Sequence, residues 1–174
     1  MAKGEDVNSR DPDDRTALMW AVWNNHNSIV RLLLEHPGID VSCKNSEGGA
    51  ALHMAAFEGN VKAVQLLLAE ERVDVTQSNV DGGYSALICA AYKGHVAVVQ
   101  LLLANERVDV NQSHKGGSTA LMFAALKGHE KAVQLLLSDP RVDVNHSDEN
   151  GSTAFICAAY KGHEKVMELL LADS

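Results

Sequence analysis

Apolar residues along this chain return in a register much longer than a helical turn or a strand alternation. An LLL run recurs at 32–34, 66–68, 101–103, 135–137 and 169–171, and the leucine of a TAL-type tripeptide recurs at Leu18, Leu52, Leu87 and Leu121, with Phe155 in the fifth copy. The steps between those tripeptides are 34, 35, 34 and 34 residues. A period of this length marks a stacked array of one supersecondary unit, so the copy rather than the residue is the unit to read. Inside each copy a short apolar stretch such as Ala86, Leu87, Ile88, Ala90 and Ala91 precedes a glycine, and a second stretch such as Val96, Val99, Leu102 and Leu103 follows it. Spacings of three and four predict two short amphipathic helices per copy.

Punctuation agrees with that division. The hydroxyls of Thr16, Ser85, Thr119 and Thr153 stand where an N-cap accepts an orphan backbone N–H, and Ala50 leaves the second copy without one. Gly59, Gly94, Gly128 and Gly162 fall between the helices, where a left-handed residue is required, and Asn25 is the substitute in the first copy. Asp40, Asp74, Asp109 and Asp143 each follow the last leucine by six residues and open a DV loop in which turn bonding is their expected role. Polar, glycine-bearing turns (SEGG, VDGG, HKGG, DENG) then predict a β-hairpin finger at each junction. The step between the second and third copies carries one extra residue between Gln77 and Gly82, which a finger tip absorbs at little cost.

The series TALM-x-A (16–21), AALHMAA (50–56), SALICAAYKGH (85–95), TALMFAALKGH (119–129) and TAFICAAYKGH (153–163), each followed by an LLL run and, in the first four copies, by a DV pair, resembles ankyrin repeats over nearly the whole chain. The resemblance implies an all-α dominated repeat solenoid of five ankyrin repeats, each a helix-turn-helix plus a β-hairpin finger. Residues 1–12 then form an N-terminal segment resembling the tail of a preceding repeat, and residues 13–174 the repeat domain, with repeats at about 13–47, 48–81, 82–115, 116–149 and 150–174. The last repeat has the apolar pattern of an internal one, so it is expected to fray or to belong to a longer array. The family's usual proline in TPLH is alanine in every copy (Ala17, Ala51, Ala86, Ala120 and Ala154), and its histidine survives only as His53.

Composition narrows the function. The chain has 174 residues with 46% hydrophobic but only 8 aromatic side chains, a mix suited to closely packed helices. Its 15 basic and 23 acidic residues give a formal net charge of −8, which disfavours nucleic acid as a partner. Three cysteines at uneven spacing (Cys43, Cys89 and Cys157), together with a polar N-terminus that lacks a signal-peptide core, predict an intracellular protein of the cytoplasm or nucleus. His95, His129 and His163 share one repeat position, so stacking places them about 10 Å apart, too far to share a metal ion, and local backbone bonding is their expected role. No phosphate-cradling loop or activated nucleophile has motif support. The expectation is therefore no enzyme, no cofactor and no metal.

The resemblance implies macromolecular binding through the fingers and the concave face of the first helices. The exposed pair before each inter-helix glycine is Trp23–Asn24, Phe57–Glu58, Tyr92–Lys93, Leu126–Lys127 and Tyr160–Lys161, and this one slot holds four of the eight aromatics. The neighbouring concave position holds Trp20, Met54, Cys89, Phe123 and Cys157. Together they predict an apolar strip bordered by lysines, suited to a peptide or protein partner with apolar anchors and acidic flanks. Finger residues Arg15, Glu47, Asp81, Tyr84, Lys115, Glu149 and Asn150 are secondary candidates. The alternatives are a small-ligand or nucleotide site built from aromatic–lysine pairs, or an architectural spacer in a longer protein. A monomer is expected, with no membrane segment. Asn111 and Asn145 close DVN triplets that resemble the asparagines hydroxylated in some ankyrin repeats, and turn formation alone also accounts for Asn there.

Overall fold

The computed structural model of the protein describes residues 6–79 and 82–172. Gly4, Glu5, Asp81 and Ser174 lie outside the described residues, as does Val80 in the stretch that carries the extra residue before Gly82. Among the described residues ten helices form five pairs: α1 (Ala17–Trp23) with α2 (Asn27–Leu34), α3 (Ala51–Glu58) with α4 (Val61–Ala69), α5 (Ala86–Lys93) with α6 (Val96–Leu103), α7 (Ala120–Lys127) with α8 (Glu130–Leu137), and α9 (Ala154–Lys161) with α10 (Glu164–Ala172). Odd-numbered helices pack on odd and even on even, which makes two parallel rows. Helices of seven to nine residues are too short to persist alone in water, so packing between copies holds them.

The two rows bury different patterns. Six consecutive residues are buried in α3, α5 and α7, because each of these helices has neighbours on both sides and its own partner behind. Paired alanines such as Ala55–Ala56, Ala90–Ala91 and Ala124–Ala125 are fully enclosed and let the first helices approach closely. In the second row only one face is inside: Ala63, Val64 and Leu67 in α4, and the equivalent Val98, Val99 and Leu102 in α6. The middle leucine of the LLL run carries the core in the last four copies, as Leu67, Leu102, Leu136 and Leu170.

Thr16, Ser85 and Thr153 accept the expected N-cap bonds from Met19, Ile88 and Ile156 at 3.3–3.4 Å. Thr119 has the same extended backbone but makes no side-chain cap bond, contrary to the sequence expectation. At the second copy the Ala50 N–H donates to Nδ1 of buried His53, whose Nε2 donates to the Gln77 carbonyl at 2.8 Å. Burial holds this imidazole below its ordinary pKa, and the two bonds suit the neutral ring. In α3 the His53 N–H turns back to the Ala50 carbonyl at 3.0 Å and has no side-chain acceptor. Ala50→Thr should supply it and raise stability by about 1 kcal/mol in a urea melt. A lowered midpoint for that variant would mean that α3 does not start as Thr16 starts α1.

The fingers differ from the expected hairpins. Each is a tight turn, with one backbone bond across its base, such as Asn45 N–H to Gly49 O, His114 N–H to Ser118 O and Asp148 N–H to Ser152 O, and one within the turn, such as Gly48 N–H to Asn45 O, Gly117 N–H to His114 O and Gly151 N–H to Asp148 O. The only bridges among the described residues are Arg10 with Thr16 and Ser78 with Ser85. The reason is chemical: a side chain takes the place of a second rung. Asn45 Oδ1, Asn79 Oδ1, His114 Nδ1 and Asp148 Oδ1 accept from Gly49, Tyr84, Ser118 and Ser152 respectively, at 2.7–2.9 Å. Successive fingers are then joined tip to tip, Ser46 N–H to Asp13 O, Lys115 N–H to Gly82 O and Glu149 N–H to Gly116 O.

Three further devices join one copy to the next, and none of them is local. His95, His129 and His163 do not bond the backbone of their own turn. Their Nε2 atoms reach the Phe57, Tyr92 and Leu126 carbonyls of the preceding copy at 2.9–3.2 Å. Asn60 does the equivalent to the Val22 carbonyl at 2.6 Å. The inter-helix glycine makes room for the ring: a Cβ at Gly59, Gly94 or Gly128 would stand 2.6–2.7 Å from it. Arg72, Arg107 and Arg141 place a guanidinium on the Leu34, Leu68 and Leu103 carbonyls at 2.6–2.9 Å, capping the C-terminal end of the preceding second helix where positive charge is favoured. Arg72 also pairs bidentately with Glu70 and draws that carboxyl down to about 2. Finally, the Asn111 amide spans Arg141 O and the Asp143 N–H, as Asn8 spans Gly38 O and the Asp40 N–H.

Candidate functional site

The DV aspartates set the loops that lead into the fingers. Asp40, Asp74, Asp109 and Asp143 each accept the backbone N–H two residues on, at 2.9–3.1 Å, as expected for turn formers. The Asp74 carboxyl is held below its usual range chiefly by the Thr76 hydroxyl and N–H. With the fingers placed, the concave face is bounded by them on one side and by the C-terminal ends of the first helices on the other.

Along that face the slot before the inter-helix turn runs Trp23, Phe57, Tyr92, Leu126, Tyr160. Trp23 and Phe57 are exposed, Tyr92 and Leu126 are half-buried, and Tyr160 is 77% exposed. The accompanying Asn24, Glu58, Lys93, Lys127 and Lys161 are all exposed. The lysines are positioned by rings. Lys93 Nζ lies 4.2 Å from the Phe57 ring centroid and Lys127 Nζ 4.3 Å from that of Tyr92, each reaching back to the preceding copy. Lys161 finds Leu126 in the preceding slot and folds onto its own Tyr160 at 4.8 Å. At the other end, Arg15 lies over both Trp20 and Trp23 at 5.1 and 5.3 Å, and the Trp20 indole N–H donates to Asp11 at 2.8 Å.

The second concave position is mostly interior. Trp20 is 41% exposed, but Met54, Cys89 and Phe123 are buried and Cys157 is half-buried. The expected continuous apolar strip is therefore a row of exposed rings above a buried layer. Phe123 packs among Tyr84, Tyr92 and His114 at centroid distances of 5.5, 6.0 and 5.2 Å. Tyr84 is half-buried in this cluster, whereas Lys115, Glu149 and Asn150 are exposed at finger tips. Nothing in the sequence pattern marked His114 as part of the cluster.

Where the first three copies meet, the face deepens into a cavity of about 380 Å³. Met54 and Cys89 form its floor, Trp23, Phe57, Tyr84 and Tyr92 its walls, and Glu47 and Glu58 its charged rim. Burial pushes the Cys89 thiol up to about 12, which suits it to packing and not to nucleophilic work. Among the described residues no group of three or more His, Cys, Asp or Glu side chains is placed to hold a metal ion, and no helix is long and apolar enough to cross a membrane. Asn111 is half-buried and committed through both ends of its amide, whereas Asn145 is exposed.

No individually characterised protein matches the chain closely enough to carry a function across. A family model described as ankyrin repeats (3 copies) matches it in three overlapping segments, residues 1–79, 52–148 and 87–174. Repeats of this kind are generally protein–protein interaction modules and typically non-enzymatic. Helix pairs stacked in two rows, stapled from copy to copy and joined through their fingers, agree with that match along the whole length, and the chain belongs to the ankyrin repeat family.

Proposed function

We propose that the protein is a non-enzymatic, monomeric interaction module of the cytoplasm or nucleus that binds a peptide or protein through its concave face and fingers. The observation that carries this reading is the 380 Å³ cavity walled by Trp23, Phe57 and Tyr92, from which the slot continues through half-buried Leu126 to the exposed ring of Tyr160. Rings of this size offer large contact area at small entropic cost, and the lysines beside them favour carboxylates on the partner. Nucleotide stacking is the weaker reading, because the Phe57 and Tyr92 ring faces already carry Lys93 and Lys127.

Replacement of Trp23, Tyr92 and Tyr160 by alanine tests the proposal. Affinity purification from the native cell, followed by titration of the recovered partner, should show at least a tenfold loss of affinity with helicity unchanged. Equal affinity in a folded triple variant would remove the groove from consideration.

A further inference from the structure

The charges along the concave face are sorted by position, and the sorting defines the kind of peptide that fits. The polar member of each slot pair reads Asn24, Glu58, Lys93, Lys127, Lys161 from the first copy to the fifth. Glu47 joins Glu58 on the rim of the cavity, and neither forms an ion pair with any described residue. Arg15 is paired with Asp13 at 3.0 Å and Arg10 with Asp14 at 3.8 Å, Lys93 lies on the Phe57 ring, and Lys44, in the same finger as Glu47, makes no ion pair with it. Toward the last two copies Lys127 and Lys161 are exposed and likewise take no carboxylate partner among the described residues, while Asp148 and Glu149 belong to the finger of that end.

We infer that the groove takes an extended peptide with a fixed order of charge: a basic residue over Glu47 and Glu58, a large apolar residue in the cavity, and carboxylates over Lys127 and Lys161. Stacked helices advance about 10 Å per copy, so Glu58 and Lys127 stand roughly 20 Å apart, about six residues of extended chain. That separation exceeds the ~8 Å Debye length at physiological salt. Each end therefore acts on its own part of the ligand, and charge order is read rather than net charge. The wrong orientation sets like charges against each other at both ends, which selects one chain direction. Lys93 rests on the Phe57 ring as Lys127 rests on Tyr92, outside the cavity lining, and begins the basic side of the order. This inference rests on the groove reading above and extends it to the class of partner.

A phage-displayed library of random 12-residue peptides is the probe, panned on the full chain. Groove binders are those whose binding is lost on the Trp23→Ala, Tyr92→Ala, Tyr160→Ala protein. Their sequences should show Lys or Arg on one side of a Trp, Phe or Leu, and Asp or Glu about six residues away on the other. A synthetic binder with its charged residues exchanged end for end should bind wild type at least tenfold more weakly. The Glu47→Lys, Glu58→Lys, Lys127→Glu, Lys161→Glu protein should select the opposite order. Groove binders without charge order, or an exchanged peptide of equal affinity, would overturn the inference and leave the groove reading standing. If no peptide depends on the three rings, the groove reading fails and this inference fails with it.

Discussion

Gly128→Ala should lower stability by about 3 kcal/mol, whereas Gly162→Ala should cost about 1 kcal/mol. Both glycines end a first helix in the left-handed region, at φ 73° and 74°, so alanine meets the same backbone penalty of about 1 kcal/mol at each. They differ in what stands over them. A Cβ at Gly128 would lie 2.6 Å from the His163 ring, while at Gly162 nothing is within 4 Å. The methyl has to displace the imidazole, which breaks the bond from Nε2 to the Leu126 carbonyl. Loss of that bond, with a carbonyl left poorly solvated, adds about 2 kcal/mol. Urea unfolding of the two variants measures the difference directly, and His163→Ala separates the contributions. In the double variant Gly128→Ala, His163→Ala the clash has no ring to meet, so its cost should be well below the sum of the singles. Equal losses for Gly128→Ala and Gly162→Ala would show that the histidine reaches the carbonyl without needing the space that glycine leaves.

Those staples also show where sequence reasoning reached its limit. The spacing of Gly94–His95, Gly128–His129 and Gly162–His163 was visible as a repeated pair, with Gly59–Asn60 as a variant. Read inside one copy, each histidine has only its own turn to bond. The carbonyls it uses lie 37 or 38 residues earlier and come within reach only once the copies stack. Arg72, Arg107 and Arg141 were missed for the same reason, since their acceptors sit 38 or 39 residues back. Features set by short-range chemistry were legible: the helix pairs, the left-handed glycines with Asn25 as their substitute, and the DV aspartates as turn formers. Thr119 shows that a correct residue at a correct position does not ensure its bond.

At the candidate site the same division holds. Period and composition located the slot of Trp23, Phe57, Tyr92 and Tyr160, because one side-chain class recurred at one phase of the repeat. They could not separate that slot from the Met54, Cys89 and Phe123 position, since both point toward the same side of a first helix. Exposure at the second position depends on how closely neighbouring first helices and fingers approach, and the alanine pairs bring them close enough to enclose it. The cavity likewise is a product of three copies meeting, with Trp23, Met54 and Tyr92 contributed by different ones.

Phe123→Ala should cost 3–4 kcal/mol, and its effect should be concentrated in the third and fourth copies. The ring is 8% exposed and touches Tyr84, Tyr92 and His114, so its removal deletes a large apolar volume and three aromatic contacts at once. In a solenoid each copy contacts only its neighbours, so the loss loosens α5 and α7 and leaves α1 and α2 nearly unchanged. Hydrogen exchange should accordingly accelerate at amides of α5 and α7 while those of α1 keep their wild-type protection. Phe123→Leu retains most of the volume and should cost about 1 kcal/mol. The pair also separates support from contact. Phe123 holds the Tyr92 wall of the cavity from beneath, so a groove-binding peptide should lose affinity for Phe123→Ala and regain most of it with Phe123→Leu. A Phe123→Ala protein that stays within 1 kcal/mol of wild type would mean that Tyr84, Tyr92 and His114 hold one another without it, and the wall would then need another support.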